Sequence, residues 1–204
     1  MDQTMTGVRR FAQWGLWFGG ALVLLAALLI GVDVLMRKFL SQSIGGADEL
    51  AGYALAIGTA WGLAAALLDR AHIRIDSLYV LFPQKIRLAL DTMALALLVG
   101  FFALVGWHGF GVVSQSWTSG SRSQSALETP TVIPQALWIA GLAAFVVIGV
   151  LLLVQALRIG ASGDLRRMAE LISTRSAEEE VEDEIRDLKD RHLREPEDRR
   201  EGDR

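Results

Sequence analysis

Cysteine is absent from this 204-residue chain, which has only four prolines and three histidines. The lack of cysteine excludes a disulfide framework and a thiolate metal site. The chain also has no glycine-rich phosphate loop, no nucleophile elbow and no paired-carboxylate signature. His72 and His108 lie at opposite ends of an apolar region and His192 lies in a charged tail, so no pair has haem-ligand spacing. We therefore expect no enzymatic activity, no metal and no cofactor.

Long apolar runs are abundant. Four of them reach or exceed the roughly 18 residues that cross about 30 Å of hydrocarbon. They extend from Phe11 to Met36, Leu50 to Leu68, Leu88 to Val113 and Pro134 to Leu157. The first run is too long for the apolar core of a signal peptide and no A-x-A cleavage site follows it, so it predicts a permanent span. Open sheet edges are not tolerated in lipid, so the chain is predicted to be an all-α integral membrane protein with four transmembrane helices.

The distribution of Lys and Arg predicts the orientation of these spans. Arginine and lysine are concentrated on the side of the N terminus, whereas the other side has only Arg37, Lys38 and Arg122. The positive-inside rule then places both termini in the cytoplasm. We expect a cytoplasmic N terminus over residues 1–10, a four-span membrane domain over 11–163 and a charged cytoplasmic tail over 164–204, partly helical or disordered. That tail contains fifteen acidic and ten basic side chains.

Small residues recur at helical spacing in two of the spans. Ala54, Gly58, Gly62 and Ala66 repeat every four residues in the second span, and the first has the pair Gly15 and Gly19. Faces of this kind allow close helix packing. The alternative is that alanine and glycine are simply common in membrane helices.

Two carboxylates lie near the ends of spans, and each has an arginine one turn away. Asp33 precedes Arg37, and Asp91 follows Arg87. We expect local ion pairs, with a proton relay or an ion ligand as the alternative. The polar loop from Ser114 to Ile133 is predicted to be a flexible connector or a contact surface.

The polar residues around the second span form a recognisable order. Glu49-Leu50 enters the span, and an Arg-x-His-Ile-x-Ile-Asp-x-Leu block closes it from Arg70 to Leu78, followed by Pro83. Together with Arg37 after the first span, this order resembles the small permease subunit of tripartite ATP-independent periplasmic (TRAP) transporters, the DctQ-like family. Phe82 stands where that family often has leucine.

The same block predicts a short interfacial helix. Asp76 or Ser77 provides a cap, Leu78, Leu81 and Phe82 share one face, and Pro83 ends the segment or starts the next span. Its alternative is an ordinary solvated loop.

The resemblance implies a non-catalytic subunit of a secondary transporter in the bacterial inner membrane. Such a subunit braces a large, DctM-like permease subunit for sodium-driven uptake of an organic acid, often a carboxylate, which a periplasmic binding protein delivers. Membrane lipid is the other expected partner, and nucleic acid is not expected. Structural or subunit-interface candidates are Arg37, Glu49, Gly58, Gly62, Arg70, His72 and Asp76. A membrane anchor of a redox complex and a stand-alone small transporter are the alternatives.

Overall fold

The computed structural model describes residues 2–70 and 82–172 together with Ile185 and Leu188, and the side chains among them except those of residues 2–5 and 170. The helices are α1 (Asp2–Leu40), α2 (Ala47–Leu68), α3 (Gln84–Ser119), α4 (Val132–Ala161) and α5 (Leu165–Ile172). The first four are long and apolar enough to cross a membrane. The prediction of an all-α membrane protein with four spans is therefore confirmed. Apart from Phe82, the predicted interfacial helix lies outside the described residues.

Glycines with positive φ turn the chain between helices. Gly45 and Gly46 precede α2 with φ of 64° and 99°, and Gly120 ends α3 with φ of 62°. These backbone conformations are open to glycine at little steric cost because it has no Cβ atom. The loops between α1 and α2 and between α3 and α4 lie at the same end of the molecule.

The four spans form a row in the order α1, α2, α4, α3, since α1 packs mainly on α2, α2 also on α4, and α4 on α3. Paired close approaches at glycines fix the directions of neighbouring helices. These are Gly15 to Trp61 and Gly19 to Gly58 for α1 and α2, Gly141 to Ala60 and Gly149 to Leu67 for α2 and α4, and Gly109 to Ile139 and Gly149 to Val99 for α3 and α4. Helix α1 is therefore antiparallel to α2, α2 is parallel to α4, and α4 is antiparallel to α3.

The contact between α1 and α2 is made by backbone. A Cβ atom at Gly19 would lie 2.6 Å from the Gly58 carbonyl oxygen, and one at Gly58 would lie 2.8 Å from the Gly19 oxygen. The predicted small-residue face of the second span thus packs on the glycine pair of the first. Gly62 is less confined, because its nearest neighbour would be Leu16 Cδ1 at 3.8 Å.

Trp61 connects this helix pair to α4. Its indole Nε1 donates a hydrogen bond to the Leu137 carbonyl at 3.0 Å. Three aromatic rings of α1, those of Phe11, Trp14 and Phe18, surround the indole with centroid separations of 5.6 to 6.1 Å. A tryptophan deep in a span is explained by these partners, which satisfy its polar nitrogen and pack its ring.

Helix α5 follows α4 after a turn at Gly163 and packs back onto the spans. Its Met168 is buried with Leu88 of α3 and Ala156 of α4. Asp164 caps the helix, because its Oδ1 accepts a hydrogen bond from the Arg167 backbone nitrogen at 3.1 Å. The predicted boundary at residue 164 therefore falls just before a helix that joins the ends of α3 and α4.

Candidate functional site at the loop end

The loop end is defined by loop A, residues 41–46 between α1 and α2, and loop B, residues 120–131 between α3 and α4. Asp33 organises loop A from inside α1. Its buried carboxylate accepts hydrogen bonds from Ser43 Oγ at 2.9 Å and from the Ile44 backbone nitrogen at 2.7 Å. It also pairs with Arg37, as the sequence predicts. Asp33 thus acts as a structural carboxylate that holds the loop against the end of its helix.

Loop B is bonded to itself. Arg122 and Pro130 form an antiparallel bridge, and the Ser123 backbone nitrogen donates to the Thr129 carbonyl at 2.9 Å. The Arg122 guanidinium adds a hydrogen bond to the Glu128 carbonyl at 3.2 Å. The polar residues of the loop thus satisfy its own backbone, and its predicted role as a flexible connector or a contact surface stays a prediction.

Glu49 joins α2 to loop B. Ser123 Oγ donates a hydrogen bond to Glu49 Oε2, and the hydroxyls of Tyr53, Ser125 and Thr129 also face this carboxylate. Glu49 lies in the first turn of α2, where the positive end of the helix dipole favours a carboxylate. Its other oxygen, Oε1, is inaccessible and has no hydrogen-bond partner among the described residues. One acidic side chain on α2 therefore links the first half of the chain to the second.

The glycines of loop A allow this approach. A Cβ atom at Gly46 would lie 2.6 Å from Leu127 Cδ1, and one at Gly45 would lie 3.5 Å from Ala126 Cβ. A side chain at Gly46 would displace the Leu127 side chain of loop B, whereas at Gly45 the separation is an ordinary van der Waals contact and the positive φ is the constraint. The Gly45-Gly46 pair is thus part of the junction as well as a turn.

A small cavity of about 170 Å³ lies beside the junction. Its lining includes Tyr53 from α2 and Gln135 and Trp138 from α4. Gln135 Oε1 is inaccessible and has no hydrogen-bond partner in the described part of the chain. No group of three or more His, Asp or Glu residues close enough to hold a metal ion occurs among the described residues. The arrangement is suited to fixing two loops as one surface.

The predicted site residues are spread along the whole molecule. Arg37 and Glu49 lie at the loop end, and Gly58 and Gly62 lie further along α2. Arg70 lies at the opposite end with a φ of 55°, and its backbone nitrogen donates to the Leu67 carbonyl at 3.2 Å. His72 and Asp76 lie outside the described residues. The described candidates do not converge on one chemical centre, and their role as a subunit interface stays a prediction.

Ser123, Ser125 and the Gly45-Gly46 pair were missed as partners of Glu49. One signal for them exists in the sequence: a glutamate in a membrane-length helix needs hydrogen-bond donors, and loop B is rich in serine and threonine. The two glycines directly before the acidic first turn also indicate a tight approach of another segment. Which serine donates could not be read from spacing, because it depends on how the loops meet.

Comparison with known proteins identifies one family. The family model described as tripartite ATP-independent periplasmic transporters, DctQ component, matches residues 26–159. This stretch includes the C-terminal part of α1 from residue 26 onward, all of α2 and α3, and nearly all of α4. Searches of curated proteins and of solved structures gave no match.

Proposed function

The chain belongs to the DctQ family, the small component of tripartite ATP-independent periplasmic transporters, and from this premise we propose that it braces a large DctM-like permease subunit in the bacterial inner membrane. In this proposal the large subunit carries the substrate and sodium sites. A periplasmic binding protein delivers an organic acid, often a carboxylate. The excess of arginine and lysine on the N-terminal side supports cytoplasmic termini and a periplasmic loop end.

The junction at Glu49 is the observation that carries the bracing role. The carboxylate of Glu49 on α2 accepts a hydrogen bond from the Ser123 hydroxyl of loop B. This bond holds the two helix pairs in position at one end. A subunit that must keep its shape while its partner subunit moves is stabilised by such a hydrogen bond. A group that carries protons or ions needs access instead, and Glu49 Oε1 is inaccessible.

The remaining buried polar side chains lie toward the ends of their helices and not in the middle of the row. Among the described residues, the buried polar or charged side chains are Asp33, Asp91 and Ser116. Asp33 is engaged with loop A, and Ser116 lies in the last turn of α3. Arg87 Nε donates a hydrogen bond to the Phe82 carbonyl at 2.9 Å, and the predicted pairing of Arg87 with Asp91 stays a prediction. The middle of the row is lined by apolar side chains, as expected for a support without its own solute path.

The test compares Glu49→Ala with Asp48→Ala in the assembled transporter. Asp48 is the adjacent carboxylate in the same helical turn and is exposed. We expect Glu49→Ala to leave loop B without its partner and to lower recovery of the large subunit and total uptake in the same proportion. A hydrogen bond to a charged group is stronger than one between neutral groups, so its loss should weaken the junction. Asp48→Ala should leave both quantities unchanged.

Uptake divided by the amount of assembled complex distinguishes a bracing role of Glu49 from a direct role in the transport step. We expect this ratio to be the same for Glu49→Ala and the unaltered chain. A normal recovery of complex with a large loss of uptake per complex would overturn the bracing role and assign Glu49 to the transport step. Purification of the tagged chain in mild detergent, with the large subunit quantified by mass spectrometry, supplies both measurements.

A further inference from the structure

The spans are displaced relative to one another along their common axis, beginning with α1 and α2. Gly19 of α1 lies level with Gly58 of α2, but α1 continues to Leu40 whereas α2 begins only at Ala47. Helix α1 therefore extends past α2 at the loop end by about 10 residues, or about 15 Å at 1.5 Å per residue.

At the opposite end it is α3 and α4 that extend past α2. Gly149 of α4 lies level with Leu67 of α2 and with Val99 of α3. Helix α2 ends one residue after Leu67, whereas α4 continues to Ala161 and α3 begins at Gln84. The projections measure about 16 Å for α4 and about 20 Å for α3. The row is thus stepped, with α1 displaced toward the loop end and α3 toward the other end.

Large apolar side chains are exposed on both projecting parts. Leu35 of α1 is 55% exposed and Leu157 of α4 is 53% exposed. Counted from the glycine contacts, these two residues lie about 50 Å apart along the helix axes. The hydrocarbon of a bilayer is only about 30 Å thick. Helices standing upright in that layer would leave an exposed apolar end in water.

Two arginines follow the same displacement. Arg10 directly precedes the apolar run of α1, and Arg158 directly follows the apolar run of α4. Both are exposed, but their levels along the helix axes differ by about 14 Å. Arginines at the ends of spans reach toward the membrane surface. A surface that passes both residues crosses the row obliquely.

We propose that the lipid-contacting surface of this chain is an inclined band, which hydrocarbon covers nearer the loop end on α1 and nearer the opposite end on α3 and α4. The centres of the apolar runs of α1 and α3 lie about 18 Å apart along the axes. Three helix spacings of about 8–10 Å separate these two spans across the row. The spans therefore lie at about 35° to the bilayer normal, within the range of transmembrane helices.

The lengths of the apolar runs give a second value for the inclination. The runs from Phe11 to Met36 and from Leu88 to Val113 each contain 26 residues, or about 39 Å of helix. A helical segment of this length fits into about 30 Å of hydrocarbon when it is tilted by about 40°. The displacement of the spans and the length of their apolar runs thus have one common explanation.

The experiment measures the depth of nitroxide labels in the bilayer. The chain has no cysteine, so each single-cysteine variant carries one label. The full chain is placed alone in vesicles of phosphatidylethanolamine and phosphatidylglycerol, so that any inclination comes from its own surface. Collision rates with oxygen, which is concentrated in hydrocarbon, and with a water-soluble nickel chelate give the depth. Far-UV circular dichroism checks the helix content of every variant.

Two pairs of exposed residues are level along the axes but lie at opposite ends of the row: Phe11 with Phe101, and Leu28 with Trp117. We expect the label at Phe101→Cys to lie about 15 Å deeper than that at Phe11→Cys. In the second pair the order between the helices reverses, because Leu28→Cys on α1 should lie about 15 Å deeper than Trp117→Cys on α3. Equal depths within the pairs would overturn the proposal.

Leu24→Cys and Phe101→Cys supply the matched comparison. These exposed residues lie near the centres of their apolar runs, about 18 Å apart along the axes. The inclined band places both labels at the same depth, and a difference close to 18 Å would overturn it. Labels at Val32→Cys and Met93→Cys test the projecting parts, where we expect at least tenfold slower collision with the nickel chelate than at Trp117→Cys.

Collision with the nickel chelate at Val32→Cys or Met93→Cys as fast as at Trp117→Cys would show that another protein, and not lipid, has to cover the projecting ends. That result would also overturn the proposal. None of these measurements includes the large permease subunit, so they are independent of the bracing role, which the Glu49 variants test separately.

Discussion

The α1–α2 pair and the α3–α4 pair are held by different kinds of contact. In the first pair the backbones of Gly19 and Gly58 touch. In the second pair side chains interdigitate: the rings of Phe102 and Phe145 lie 4.8 Å apart, and Phe145 is fully buried. Helix α5 also packs on both members of the second pair, whereas α1 packs mainly on α2.

This difference shows where each pair is vulnerable. Lipid is as apolar as leucine, so helices in a membrane associate through close packing and polar contacts rather than through burial of apolar surface. A side chain can change rotamer to accept an added methyl group, but a backbone carbonyl in a helix cannot move without its helix. We therefore expect substitutions to be costliest where α1 meets α2.

The largest effect is expected for Gly19→Leu. Its Cβ atom alone would lie 2.6 Å from the Gly58 carbonyl oxygen, so α1 must separate from α2. Overpacking ordinarily costs about 1–3 kcal/mol, and we expect the upper end, about 3 kcal/mol. Titration of the micelle-solubilised chain with sodium dodecyl sulfate measures the free energy of unfolding.

Gly20→Leu is the matched control for this substitution. Gly20 is the next residue on α1, and a Cβ atom there would meet nothing within 4 Å. The control should unfold within about 0.5 kcal/mol of the unaltered chain, as surface substitutions usually do. Equal destabilisation by both variants would contradict the backbone contact between α1 and α2.

The four spans were predictable because each is a long apolar run, and the glycine spacing on α1 and α2 indicated which faces allow close packing. The order α1, α2, α4, α3 was not predictable, since it depends on which faces meet. Helix α5 was missed although Leu165, Met168 and Ile172 have helical spacing after the Asp164 cap. The many charged residues of the tail made this short apolar face difficult to recognise in the sequence.

The candidate site was predictable only in part. The Glu49-Leu50 motif drew attention to the correct glutamate, and the Asp33–Arg37 pair followed from a spacing of one turn. The hydrogen bonds from Ser43 and Ile44 to Asp33 and from Ser123 to Glu49 were not foreseen. These contacts depend on loop conformation, and the last one joins residues 74 positions apart, which no local pattern encodes.

A smaller effect is expected from Gly149→Ala in the second pair. The new Cβ atom would lie 2.5 Å from Val99 Cγ2, so a side chain rather than a backbone must yield. We expect a loss of about 1 kcal/mol, at the low end of overpacking costs. Adding Val99→Ala should restore stability to within about 0.5 kcal/mol, because the two residues share one contact and their effects are coupled. A double variant no more stable than Gly149→Ala would show that the α3–α4 contact is as rigid as the glycine contact of α1 and α2.

The smallest effect is expected for Gly62→Ala, which tests how far along α2 the backbone contact extends. A Cβ atom at Gly62 would be 3.8 Å from Leu16 Cδ1, an ordinary van der Waals separation. Alanine also favours a helix over glycine, so we expect the free energy of unfolding to change by less than about 0.5 kcal/mol, whereas Gly58→Ala should destabilise the chain. A loss of unfolding free energy equal to that of Gly58→Ala would contradict the looser packing of α1 on α2 at Gly62. If Gly62→Ala leaves the isolated chain stable but reduces recovery of the large subunit, the face around Gly62 belongs to the interface between subunits.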